Sequence, residues 1–133
     1  MYINYMIVKI LNFIHLIIIF NPILLIILPK PLIKKYIKWF LILNIIIPLH
    51  WYIFDNRCIL TELGKYFGGY KDSKNKAGFT ETNLKWLYKP IMKVFGWNWN
   101  SVGIDKMATL HWLINIFIIW YMALYVYKNK TNI

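Results

Sequence analysis

A chain of 133 residues that is 59% hydrophobic, with a mean hydropathy of +0.47, is too apolar for an ordinary soluble domain and falls in the membrane class, with room for a single domain over 1–133. Its formal net charge of +11 would suit nucleic acid, but the positions exclude that reading. Lys30, Lys34, Lys35 and Lys38 lie between two apolar runs and Lys128 and Lys130 follow a third, as in short loops that hold cations at lipid headgroups.

The first apolar segment runs from about Met6 to Leu28, long enough for a hydrocarbon core of about 30 Å. Lys9 is the only charged residue up to its end, and it ends in Pro29-Lys30-Pro31 without a small-residue cleavage pattern, so a retained span or signal anchor is expected. Asn21-Pro22 interrupts it; a proline lacks the amide donor and crowds the preceding turn, which predicts a kink or a split into two pieces. The second span, about 36–54, follows after so short a connection that an antiparallel hairpin is required. Pro48 should bend its end.

A surface loop over 55–106 comes next. Ile59, Leu63, Tyr66 and Phe67 predict a short helix that Gly68-Gly69 stops, and Tyr70 to Gly78 reads as a solvated linker. An amphipathic helix is expected after Thr80, with Leu84, Leu87, Tyr88, Ile91, Met92 and Phe95 as its apolar side and Lys85, Lys89 and Lys93 as a basic stripe; Pro90 argues for a break near Tyr88, with two short pieces as the alternative. With Trp86, Trp97 and Trp99 alongside, this region is expected on the membrane surface, since rings with polar tips favour the headgroup level. The third span, about 107–127, is free of proline, glycine and formal charge. The expected fold is therefore all-α: about three transmembrane helices and an interfacial helical loop, with the Lys30–Lys38 cluster and the Lys128–Lys130 tail together on the inner side.

Each histidine shares its span with an asparagine: His15 with Asn12, His50 with Asn44, His111 with Asn115. Polar groups in hydrocarbon are costly unless paired, so these should face the bundle interior and hydrogen-bond between helices. Span lengths also set His50 and His111 at similar depth beneath one membrane face, with Cys58 nearby; imidazole and thiolate lone pairs could then ligate haem, or, at His50, Cys58 and His111, a metal ion. No spacing matches a recognised metal motif, and no paired carboxylates or Gly-rich phosphate loop occur.

Pro48-Leu49-His50-Trp51 followed by Asp55-Asn56-Arg57-Cys58-Ile59-Leu60-Thr61-Glu62-Leu63 resembles a pattern in small multi-span membrane proteins of large eukaryotic DNA viruses, in which a span ends in His-Trp and Cys-x-Leu-Thr opens a surface helix. The heavy use of Ile, Asn, Lys and Tyr, typical of AT-rich genomes, fits such a source. The resemblance implies a virion or host membrane and brings no enzymatic activity with it. In architecture alone the chain also resembles the three-span anchor subunits of succinate dehydrogenase, which would imply haem b, a respiratory partner and the mitochondrial inner membrane. The leading expectation is a non-enzymatic interaction protein without a cofactor, partnered by the lipid bilayer and by a protein of a larger assembly.

Overall fold

The computed structural model describes residues 2–54, 58–68 and 79–128, and its regular structure is helical throughout. The helices are α1 (Tyr2–Ile19), α2 (Asn21–Ile27), α3 (Lys30–Ile53), α4 (Ile59–Phe67), α5 (Phe79–Asn83), α6 (Lys85–Val94) and α7 (Ser101–Lys128). The expected linker from Tyr70 to Gly78 and the Asn129–Lys130 tail lie outside the described residues. Among the described residues two helices are long and apolar enough to cross a membrane, α1 and α7. α3 is not one of them; four lysines occupy its first nine residues, and Asn44, Pro48 and His50 follow.

The first apolar segment does split. α1 ends at Ile19, Phe20 leaves helical geometry (ψ 14°), and α2 begins at Asn21 with Pro22 in its first turn, where a missing amide costs nothing. In the loop the expected break falls four residues before Tyr88, at Leu84, while Pro90 sits inside α6. The reason is local. Leu87 N–H bonds Leu84 O rather than Asn83 O, and the Trp86 indole N–H takes Asn83 O at 2.9 Å, so Asn83 O keeps a donor at the break. α6 ends on Gly96 at φ 69°, with Trp97 N–H bonding Met92 O and Gly96 N–H bonding Lys93 O, the paired bonds of a Schellman cap. α7 begins at Ser101 rather than near residue 107, because the Asn100 side chain caps it by accepting Gly103 N–H at 2.8 Å.

By its contacts the chain forms two compact units, Met1–Leu16 with Arg57–Leu110, and Ile17–Asn56 with His111–Ile133. In the first, Leu84, Tyr88 and Met92 recur every four residues as the buried stripe of α5–α6, and Phe79, Ile104 and Met107 are buried as well. In the second, Leu25 of α2, Ile33 and Ile37 of α3, and Ile119 and Met122 of α7 make one apolar cluster. Its register follows from two further contacts. Asn44 meets Trp112 and Lys30 lies over Tyr125, so fourteen residues back along α3 match thirteen forward along α7, and the two run antiparallel. Lys30, Lys34, Lys35, Lys38 and Lys128 accordingly gather at one end of this unit, as the sequence implies.

Candidate functional site

The polar interior of the second unit is built around its prolines. In a helix the carbonyl of residue i bonds the amide of residue i+4, so Pro48, lacking that amide, leaves Asn44 O without its donor. The Trp112 indole N–H fills the place at 2.7 Å. At the other break, Pro22 deprives Ile18 O, which the Asn21 side-chain amide takes instead. Ile23 N–H, the usual donor to Ile19 O, turns to Phe20 O at 3.0 Å. Asn115 Nδ2 then donates to Ile19 O at 2.8 Å. Trp112 and Asn115 lie three residues apart on one face of α7, so a single turn supplies donors at both breaks.

Asn44 links the two places. Its Nδ2 donates to Asn21 Oδ1 at 3.0 Å and to Phe40 O at 2.8 Å. The side chain is 0% exposed, and its Oδ1 meets no hydrogen-bond donor among the described residues. Asn21, Asn44 and Asn115 are all buried, whereas Ile42, Ile45, Ile46 and Leu49 on α3 and Leu113, Ile114, Phe117 and Leu124 on α7 are exposed. Buried asparagines beneath so much exposed aliphatic surface depart from the pattern of a water-soluble protein.

The histidines have separate settings. His50 packs edge-on against Phe54, with ring centroids 5.3 Å apart, and His111 tilts against Phe20 at 5.0 Å. The register brings residue 45 of α3 opposite His111, so His50 lies five residues, about 7.5 Å, further along the axis rather than at the same depth. In the first unit His15, which sequence reading joined only to Asn12, stacks on Phe79 with centroids 3.8 Å apart, and its Nε2 stands 3.3 Å from Cys58 Sγ. Cys58 is the N-cap residue of α4 and half-buried. Among the described residues no group of three or more His, Cys, Asp or Glu side chains could hold a metal ion.

On α6 the three lysines of the expected stripe, Lys85, Lys89 and Lys93, are exposed. Trp86 at 72% and Val94 at 84% exposure stand on the same outward arc, while Trp97 and Trp99 are partly buried. Phe95, expected on the apolar side, is exposed and stacks on Trp97 at 4.9 Å; it lies beyond the last turn of α6, where the 3.6-residue period no longer aims it inward.

Sequence reading missed Trp112 as a donor and Asn21 as a partner of Asn44. The available signal was a position four residues before each proline, which identifies the deprived carbonyl but not the side chain that serves it. No protein-family model matches the chain, and no curated protein or solved structure matches it.

Proposed function

We propose that this chain is a non-enzymatic membrane protein that crosses the bilayer three times, through α1–α2, α3 and α7, and presents the Lys85–Lys89–Lys93 face of α6 to lipid headgroups or to a partner protein at the surface. The observation that carries the reading is in the second unit: Asn21, Asn44 and Asn115 are buried and bonded while Ile42, Ile45, Ile46 and Leu49 of α3 and Leu113, Ile114 and Leu124 of α7 are exposed. Water would penalise that exposed surface, whereas hydrocarbon accepts it and requires the interior carbonyls to be bonded within the protein. Counting α3 as a span is consistent with its lysines, since all four lie in its first nine residues and long side chains near a helix end reach back to the interface.

The test is topological. In a Cys58→Ala background, reporter cysteines at Tyr52, exposed near the end of α3, and at Lys128, the last residue of α7, should react with an impermeant reagent from opposite faces of a sealed vesicle. Labelling of both from one face would remove the three-span arrangement, and a purified chain that stays monodisperse without detergent would remove the membrane reading altogether.

A further inference from the structure

The cationic end of the second unit carries a seam between α3 and α7. Lys30, Lys34 and Lys38 recur every four residues and form one row on α3, adjoining the buried positions Ile33 and Ile37. Lys30 Nζ lies 4.5 Å from the centroid of the Tyr125 ring, so the row borders the seam with α7. There Tyr121 and Tyr125, one turn apart and both exposed, form a second row, and the register brings Tyr121 level with Lys34. Lysines make one row of this seam and tyrosines the other, in contact at Lys30 and Tyr125. The described residues of this unit include no Asp or Glu.

We propose that this seam binds one anionic phospholipid, its phosphate held by Lys30 and Lys34 beside Tyr125 and its acyl chains laid along the exposed apolar faces of α3 and α7. The membrane reading above is presupposed. Charge complementarity selects an anion, since a lysine row is a strong phosphate attractor and phenol hydroxyls can donate to the remaining oxygens. Exposed Leu41, Ile42, Ile45 and Leu124 along the same helices select one that carries hydrocarbon.

The experiment uses the full chain reconstituted in bilayers of phosphatidylcholine with phosphatidylglycerol, followed by native mass spectrometry of the released protein. Wild type should retain about one phosphatidylglycerol in preference to phosphatidylcholine. Each near-surface lysine is worth about fivefold in such binding, so K30Q/K34Q/K38Q should lose roughly a hundredfold, whereas K30R/K34R/K38R and K85Q/K89Q/K93Q should retain the lipid. Insertion of wild type without preference for phosphatidylglycerol overturns the proposed lipid site, and so do equal losses in both glutamine triples, which mean diffuse attraction. The wild-type comparison needs no variant to fold. Failure of the chain to insert into pure phosphatidylcholine overturns the membrane reading instead, a separate outcome.

Discussion

Trp112 donates its indole N–H to the Asn44 carbonyl at 2.7 Å, the carbonyl that Pro48 leaves without a helical donor. Replacing Trp112 by Phe keeps most of the ring and removes the donor, which should lower stability in detergent by about 1–2 kcal/mol. Pro48→Ala restores the amide at position 48, so Trp112→Phe in that background should cost far less. A double-mutant cycle of unfolding in mixed micelles reads the coupling directly. Equal costs in both backgrounds would mean that Trp112 acts only through packing.

Much of this arrangement was legible in the sequence, but in halves. Asn44 and Asn115 in apolar runs had to be buried and bonded, and Asn21-Pro22 had to disturb the first segment; both hold. Which donor serves which carbonyl depends on how α7 is registered against α3 and against the end of α1, through residues 68 positions apart at Trp112 and Asn44 and 96 apart at Asn115 and Ile19, and no local pattern encodes it. The same reason hid the approach of His15 to Cys58, separated by 43 positions. Pro90 misled about the loop because the penalty of an interior proline is conditional: the break formed where Trp86 could recover the lost bond.

Gly103 is expected to be irreplaceable in the first unit. A Cβ there would stand 1.9 Å from Asn98 O and 2.8 Å from Met92 Cε; the methionine end can move, but the backbone carbonyl cannot. Gly103→Ala should destabilise by about 3 kcal/mol, the upper part of the range for overpacking. Gly64 of α4 has open space around its Cβ position, so Gly64→Ala should instead stabilise by about 0.5–1 kcal/mol. Thermal denaturation of the two variants in one detergent compares them, and losses of similar size would contradict the close approach at Gly103.

Tyr88 is 2% exposed, and burial holds its phenol well above the ordinary range. A group whose pKa is raised by folding contributes fully below its unfolded value, about 10 for tyrosine, and that contribution is lost as pH rises from there towards the folded value. Stability should therefore fall with alkaline pH, and Tyr88→Phe should flatten the fall. Chemical denaturation at a series of pH values above and below 10 measures the slope; an unchanged slope in the variant would assign the alkaline loss to other groups.

The haem or metal alternative built on His50, Cys58 and His111 makes a spectroscopic prediction. His50 and His111 pack on different phenylalanines and are offset along the helices by about 7.5 Å, and Cys58 faces His15. The detergent-purified protein should then show neither a Soret band nor stoichiometric metal, and His50→Ala should leave its absorption spectrum unchanged. A Soret band lost in His50→Ala would establish the alternative and replace the non-enzymatic anchor reading with that of a redox subunit.

The outward face of α6 yields the most discriminating prediction about the surface region. Lys85, Lys89 and Lys93 repeat every four residues, and Trp86 and Val94 project beside them, while Leu84, Tyr88 and Met92 are occupied inside the unit. Lipid contact would thus rest on three ammonium groups and two apolar side chains, not on the wider apolar stripe that the sequence suggests. Each near-surface cation contributes about 1 kcal/mol towards an anionic leaflet, whereas burying Trp86 and Val94 acts equally in a neutral one. A nitroxide at Val94→Cys, in the Cys58→Ala background, should sit deeper in anionic than in neutral vesicles, as judged by oxygen against polar relaxation agents. Adding K85Q/K89Q/K93Q should abolish that difference and leave the neutral-vesicle depth unchanged. A nitroxide that stays in water in both vesicles would assign this face to a protein partner, because a basic row flanked by exposed Trp86 would then lack any lipid to meet.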